Sequence, residues 1–156
     1  MLSTAKVFRA DESNLSDLAA LRFQWRTEEL GERGLSLEVF DARFREWCAA
    51  HRESHMAFLA TIGEVGVGCA WLVIVDRVPG PAKFVRRGGM IQSVYVSPAH
   101  RNRRVGSDLV GVLTGEARAT GLDYLMVHPS ERSFPFYRRL GFEAAEKALE
   151  LRFALT

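Results

Sequence analysis

The segment from residue 90 to residue 110 carries the residue types best suited to binding a phosphate. It reads MIQSVYVSPAHRNRRVGSDLV, in which an apolar run stops at Ser97-Pro98 and a polar turn leads into a second apolar repeat. The start of a helix favours an anion, because it presents unpaired backbone N–H groups and the positive end of the macrodipole. Gly106 would let the backbone approach such a ligand closely. Further donors would come from Arg101, Arg103, Arg104 and Ser107.

A second segment, VHPSERSFPFYRRLGF from residue 127 to residue 142, combines aromatic and polar residues around Tyr137. Gly141 is the residue type that commonly follows a helix end, so a short helix over Phe134–Leu140 is predicted. Taken alone, each segment has a structural interpretation. The first could be a basic helix start on a solvated face, and Tyr137 could be a packing residue with its hydroxyl at the surface.

Hydrophobic periodicity predicts the elements that would position these residues. Asp11 or Ser13 would cap the first helix, and Ser36 would open the second. The predicted strands are Lys6–Ala10, Met56–Ile62, Gly68–Val75, Met90–Val96, Leu122–Val127 and Leu149–Ala154. The predicted helices run from residue 13 to Leu30, from Ser36 to about His51, from about Arg103 to Thr120, and over Phe134–Leu140.

Bulk composition favours one soluble domain over residues 1–156. Apolar residues make up 47% and charged residues 26% of the chain, which is ordinary for a folded globule. The formal net charge of +2 gives no general attraction to nucleic acid or membrane. The N-terminal segment lacks the apolar core of a signal peptide, and no apolar run is long enough for a membrane span, so a cytoplasmic location is expected.

Together the two segments resemble the hallmarks of the GNAT N-acetyltransferase family. Val96-Ser97-Pro98 followed by residues 101–106, RNRRVG, is similar to its acetyl-CoA diphosphate loop, and FYRRLGF is similar to its tyrosine-containing helix end. Arg104 stands where the family usually has its first glycine, a position expected to lie in the first helical turn. The resemblance implies an α+β fold, a mixed α/β sandwich with a central, mostly antiparallel sheet flanked by about four helices.

The resemblance also implies the activity: direct transfer of an acetyl group from acetyl-CoA to an amine, without a metal. Tyr137 would protonate the departing thiolate, which is chemically reasonable because a thiol has a pKa of ~8.5 and a phenol one of ~10. Backbone amides at a bulge in the strand that holds Val94 and Val96 would contact the thioester and pantetheine. The expected coenzyme A-binding residues are Val94, Tyr95, Val96, Arg101, Asn102, Arg103, Arg104, Val105, Gly106, Ser107, Ser130, Ser133 and Tyr137, with Ser133 also capping the tyrosine helix.

The group that takes the proton from the amine is left open by the sequence. Relatives often carry a glutamate on the strand before the loop, where this chain has Gln92 and Ser93, neither of which is a base. Replacement candidates are Glu28 and Glu29 on the first helix and His128 after the fifth strand, with Asp76, Glu131 and an ordered water as further choices.

Two other function classes remain as alternatives. One is a coenzyme A-binding regulatory module of the same fold without turnover, which the absent strand glutamate and Arg104 favour. The other is a nucleic-acid binder that uses clustered arginines, which the balanced charge and scarce lysine disfavour. The acceptor would be a small-molecule or peptide amine, and a homodimer formed through strand pairing is left open.

Overall fold

The computed structural model describes residues 4–145 and 147–154. Short 3₁₀ turns lie at Glu12–Asn14 and Pro98–His100, and a π-helical turn at Trp25–Glu29 continues the first helix. The remaining elements are β1 (Lys6–Arg9), α1 (Leu15–Gln24), α2 (Leu37–Ala50), β2 (His55–Ile62), β3 (Val65–Arg77), β4 (Arg86–Val96), α3 (Val105–Ala119), β5 (Leu125–Val127) and α4 (Phe134–Arg139). Within the described residues, no helix is both long and apolar enough to cross a bilayer.

The five strands form one mixed sheet in the order β1-β2-β3-β4-β5. Neighbours from β1 to β4 are antiparallel, as expected of strands joined by hairpins or by an excursion over one face. The crossover through α3 makes β5 parallel to β4. The predicted α+β class, with a mostly antiparallel sheet and four helices, is confirmed.

Each face of the sheet carries its own core, because successive side chains of a strand point to opposite faces. On one face, Phe58 and Leu72 of the sheet pack against Leu109 and Leu113 of α3. On the other face, Leu18 of α1 packs on a layer of Leu59, Cys69, Trp71 and Tyr95. Burial in this second layer raises the pKa of the Cys69 thiol to about 12, so Cys69 is an inert core residue.

Side chains cap the 3₁₀ turn that leads into α1 and the start of α2, whereas Asn14, the N-cap residue of α1 itself, makes no side-chain capping hydrogen bond. Asp11 accepts a hydrogen bond from the backbone N–H of Ser13 at 2.8 Å, and Ser36 accepts one from Val39 at 3.3 Å. The predicted helix to Leu30 is α-helical only as far as Gln24, after which the π-helical turn widens the backbone. Such turns are frequent at functional sites.

The strands β4 and β5 lie side by side over only three residue pairs, from Gly89↔Leu125 to Ile91↔Val127. Beyond Ile91, β4 continues to Val96 while β5 has ended, so one edge of β4 has no neighbouring strand among the described residues. Gly88 and Gly89 allow this pairing at its start, because side chains of Tyr124 and Leu125 occupy the space that a Cβ would need. A Cβ at Gly89 would lie 2.7 Å from Leu125 Cδ2, and one at Gly88 would overlap the Tyr124 ring.

We expect Gly89→Ala to destabilise the protein by about 1–3 kcal/mol, because its Cβ would lie within 3 Å of the Leu125, Leu122 and Leu72 side chains and overpacking them must displace β5 or distort β4. Gly115→Ala in α3 is the matched control, since nothing lies within 4 Å of its added Cβ. Removing glycine from the interior of a helix should raise stability by about 0.5–1 kcal/mol. Urea unfolding monitored by circular dichroism measures both, and equal effects of the two substitutions would contradict the close packing at Gly89.

The predicted strand Leu149–Ala154 is wrong in this structure, where residues 149–154 form no strand. Its alternating apolar side chains are fully exposed or nearly so: Leu149 at 102%, Leu151 at 79% and Phe153 at 85%. Glu150 and Arg152 contact each other at 2.6 Å on the intervening positions. A strand needs a neighbour for its backbone hydrogen bonds, and periodicity reports only the side-chain alternation.

Candidate active site

The turn before α3 is curled by two residues with left-handed backbone angles, Asn102 (φ 60°) and Arg104 (φ 66°). Left-handed residues within a turn bring successive N–H groups toward one point, a geometry that suits an anion. The expectation that Arg104 lies in the first helical turn is wrong, because it precedes α3 as the N-cap residue. Its positive φ gives a physical reason for a glycine there, since a left-handed conformation costs a non-glycine residue about 1–2 kcal/mol.

We expect Arg104→Gly to have opposite effects on stability and ligand affinity. Relief of the left-handed strain should raise the free energy of unfolding by about 1 kcal/mol. Loss of the cationic side chain should weaken binding of coenzyme A about 10-fold or more, because hydrogen bonds to charged groups contribute about 1.5–3 kcal/mol each. Chemical denaturation and calorimetric titration measure the two effects. Unchanged coenzyme A affinity would show that Arg104 does not contact the ligand.

Gly106 in the first turn of α3 lies next to the tyrosine helix. A Cβ placed on Gly106 would be 3.5 Å from the ring of Phe136 and 3.8 Å from Val96. Phe136 in turn contacts Tyr137 edge-on, with ring centroids 5.0 Å apart. The two segments singled out in the sequence are therefore neighbours on the α3 face of the sheet.

Tyr137 is buried, with 7% of its surface exposed, and lines a cavity of ≈ 320 Å³ beside β5. Val127 and Phe142 line the same cavity, whereas Gly106 does not. Burial raises the pKa of the Tyr137 hydroxyl to about 12. The hydroxyl therefore holds its proton at neutral pH, as a general acid must.

The strand β4 contains a bulge at Ser93 and Val94. Gln92 pairs with Trp71 and Tyr95 pairs with Cys69, so two residues of β4 stand opposite one residue of β3. Ser93 has a φ of 56°, which only a local constraint stabilises in a residue other than glycine. The bulge occurs just after β4 and β5 diverge, so its backbone groups lie where the strand edge has no neighbour within the described chain.

The side chain that holds this bulge, Arg22 of α1, was not among the residues predicted for the site. Its Nη1 donates a hydrogen bond to Ser93 Oγ at 2.6 Å, and its guanidinium lies 5.2 Å from the centroid of the Trp25 ring. Trp25 stacks on Tyr95, with ring centroids 5.8 Å apart. The one signal that could have pointed to Arg22 is a polar residue one turn from Leu18, on the helix face toward the sheet.

Of the proposed bases, Glu29 is the one with a described contact to the turn before α3. It forms an ion pair with Arg101, whose Nε also donates to the carbonyl oxygen of Val96 at 2.9 Å. The Tyr95 hydroxyl is buried without a hydrogen-bond partner among the described residues, and burial followed by the charge of Glu29 raises its pKa. Glu28 lies on the same π-helical turn, and its charge also raises the pKa of Tyr95.

His128 directly follows β5 and is exposed, and no described hydrogen bond orients its ring. Asp76 and Glu131 are likewise exposed, and Asp76 lies on β3 opposite Arg87, near the far end of β4 from the bulge. None of these three side chains forms a described hydrogen bond or ion pair with Arg22, Glu29 or Tyr95.

Ser133 does not cap α4 with its side chain, contrary to expectation. Its backbone angles are helical (φ −91°, ψ −9°), whereas a capping serine normally has an extended backbone that lets its oxygen reach the first-turn amides. Its hydroxyl instead donates to the backbone oxygen of Ser130 at 3.2 Å and lies 3.0 Å from the Ser130 hydroxyl. Both serines thus stabilise the turn that precedes α4.

A larger cavity of ≈ 650 Å³ lies at the other end of the sheet, between α2 and strands β1 and β2. It contains none of the residues predicted for the site. Within the part of the chain that the structure describes, no group of three histidine, cysteine or acidic residues could hold a metal ion.

Comparison with known protein families identifies the class of protein. Residues 19–142 match the model of the acetyltransferase (GNAT) family, which covers well over half of the chain. The chain therefore belongs to the acetyltransferase (GNAT) family. The family predicted from the two motifs is confirmed.

Two curated relatives with similar sequences are glucosamine 6-phosphate N-acetyltransferases. A glucosamine 6-phosphate N-acetyltransferase from Trypanosoma brucei brucei is 38% identical over 72 residues, which are 44% of this chain and 49% of that protein. Glucosamine 6-phosphate N-acetyltransferase 1 from Oryza sativa subsp. japonica is 32% identical over 112 residues, which are 69% of this chain and 64% of that protein. The chain thus spans from about half to somewhat under two thirds of the length of these curated relatives.

Among solved structures, a crystal structure of a predicted acetyltransferase with acetyl-CoA from Clostridium acetobutylicum is similar over 96% of both chains, with a TM-score of 0.77. Sequence identity to that chain is 19%, so the likeness concerns the fold. It agrees with the sheet order and helix placement described above.

Proposed function

We propose that this protein transfers the acetyl group of acetyl-CoA to the amine of a small molecule, by direct attack within a ternary complex. The observation that carries the proposal is the position of Tyr137. Its buried, protonated hydroxyl belongs to the residue next to Phe136, and the Phe136 ring would lie 3.5 Å from a Cβ placed on Gly106 in the turn that we propose binds the diphosphate. The Clostridium structure with acetyl-CoA supports the choice of cosubstrate.

Cosubstrate binding would use two parts of the chain. The N–H groups at the start of α3, with Asn102, Arg103, Arg104, Val105 and Ser107 around them, would bind the diphosphate. The open edge of β4 at Val94 and Val96 would pair with the pantetheine amides as an added strand would. Arg101 would support the turn from its bond to Val96, and Ser130 and Ser133 would hold α4 in place.

The proposed reaction forms one C–N bond and breaks one C–S bond. The neutral amine attacks the thioester carbonyl carbon, a C–N bond forms, and the C–S bond then breaks. The leaving thiolate takes a proton from the Tyr137 hydroxyl. The amine loses a proton to a base, for which Glu29 is the best-placed carboxylate and Glu28 and His128 remain alternatives. Backbone amides at the Ser93 bulge would stabilise the oxyanion.

The acceptor class is proposed from the relatives and from the site. Both curated relatives are named for glucosamine 6-phosphate, an amine that carries a phosphate. The acceptor would reach the bulge from the face covered by α1 and the π-helical turn, opposite the face that carries α3. Glucosamine 6-phosphate is therefore the first acceptor to test.

The test combines cofactor binding with product formation. Calorimetric titration should show binding of acetyl-CoA, and mass spectrometry should show an N-acetylated product with glucosamine 6-phosphate or another amine in a panel. Tight binding of coenzyme A without an acetylated product from any amine would contradict the proposal. That result would favour a coenzyme A-binding module instead.

A homodimer is proposed from the exposed strand-like segment. The exposed residues Leu149, Leu151 and Phe153 alternate in sequence with Glu150 and Arg152, and the outer edge of β5 has no neighbouring strand among the described residues. The segment of a second copy could pair with that edge and cover these side chains. Light scattering should then give twice the 17.5 kDa mass of one chain. The mass of a single chain would contradict the dimer.

A further inference from the structure

Arg22 is a half-buried cation that forms no close ion pair with a carboxylate of the described residues, although the charge of Glu32 acts on it from a greater distance. Its side chain lies on the sheet-facing side of α1, one turn after Leu18, which is completely buried. Its described partners are the neutral Ser93 hydroxyl and the Trp25 ring. Among residues 4–145 and 147–154, no carboxylate forms an ion pair with it.

A second cation increases the local positive charge. The Arg26 guanidinium lies 5.9 Å from the centroid of the same Trp25 ring and is already paired with Glu32. Burial, and then the charge of Arg26, lower the pKa of Arg22, while the charge of Glu32 acts in the opposite direction. A poorly solvated cation is costly unless an anion completes its surroundings.

The Arg22 guanidinium lies next to the β4 bulge, where we propose that the thioester binds. Its hydrogen bond ends on Ser93, the left-handed residue of the bulge where the backbone groups for the thioester are proposed. The Trp25–Tyr95 stack joins the π-helical turn to the same strand. An acceptor whose amine approaches the bulge from this face would have its other substituents close to the Arg22 guanidinium.

We propose that Arg22 is a specificity-determining residue that selects acceptor amines bearing an anionic group, a phosphate or a carboxylate. This inference rests on the proposed function, because it concerns the acceptor side of the same site. The guanidinium would form charge-assisted, bidentate hydrogen bonds to that anion. The Ser93 hydroxyl would hold the guanidinium in position.

The experiment compares three acceptors that differ mainly in charge at C6: glucosamine, glucosamine 6-phosphate and 2-amino-2-deoxyglucuronate, which carries a carboxylate there. The parent should have a higher kcat/KM for at least one of the two anionic amines than for glucosamine. The anion that is preferred distinguishes phosphate from carboxylate. Arg22→Gln should lower this anionic-to-neutral ratio by about 10- to 50-fold, because a hydrogen bond to a charged group is lost.

Two further variants separate recognition from folding. Arg22→Lys should keep part of the ratio, since it retains the charge but not the bidentate geometry. Arg26→Gln removes a neighbouring charge that is already paired, and should leave the ratio within about 3-fold of the parent. Melting temperatures with acetyl-CoA present show whether each variant is folded.

The outcomes distinguish the two levels of the proposal. Equal efficiency of the parent with all three amines would overturn the role of Arg22 while leaving acetyl transfer intact. An equal reduction of the ratio by Arg22→Gln and Arg26→Gln would also overturn that role. Acetyl-CoA binding without a product from any of the three acceptors, or from the wider panel, would overturn the proposed function and this inference with it.

Discussion

Replacing Tyr137 with phenylalanine should lower kcat about 100-fold and leave the affinity for acetyl-CoA within about 2-fold of the parent. The substitution removes one hydroxyl from a buried side chain and keeps the ring contacts with Phe136 and Phe142. A general acid contributes about 10²–10⁴-fold to rate, so its removal acts on turnover and not on binding. Steady-state kinetics and calorimetric titration measure the two quantities.

The pH dependence gives an additional check on Tyr137. Burial raises the pKa of its hydroxyl to about 12, so the acid form is present throughout an ordinary assay range and would be lost only as the pH rises through that value. The parent and Tyr137→Phe should therefore have pH–rate profiles of the same shape below about pH 9, displaced only in height. Equal turnover of the parent and the variant would refute the acid role.

Replacing Gly106 with valine should weaken acetyl-CoA binding about 100-fold. An alanine Cβ would have ordinary contacts at 3.5 Å from Phe136, but the extra methyl groups of valine would press on that ring or into the anion site. Displacing a diphosphate from one or two backbone donors costs about 2–3 kcal/mol, which corresponds to this factor. Calorimetry with coenzyme A measures the loss.

Gly106→Ala is the matched control for that experiment. It should change the affinity less than about 5-fold, because the space beside Phe136 admits one methyl group. Circular dichroism of both variants tests whether α3 is retained. If valine and alanine bind coenzyme A equally well, the diphosphate does not lie against Gly106.

Most of the fold could be predicted because apolar periodicity carries its information locally. The predicted strand Met56–Ile62 and the predicted Ser36 cap lie within a residue of their observed positions. The start of β4 could not be predicted, since Arg86-Arg87-Gly88-Gly89 has no strand pattern. These residues are extended because they pair with β3, which is a long-range effect.

The residues of the candidate site likewise fall into those that local sequence predicts and those that it does not. The turn at residues 101–106 is visible in the sequence as a motif with a physical reason for each residue type. The positive φ of Ser93 and its bond to Arg22 are not, because the partners are 71 positions apart and neither is unusual in its local sequence. The left-handed conformation of Arg104 could not be predicted either, since arginine is a residue that helices accept readily.

The early end of β5 has a consequence for the energetics of ligand entry. From Gln92 to Val96, one edge of β4 has no neighbouring strand among the described residues, so the backbone groups along it pair with no other strand. A ligand that pairs with this edge breaks no bond between strands and orders no backbone, because folding has already fixed it. The conformational entropy lost in ordering this strand edge is therefore lost during folding, and ligand binding does not have to lose it again.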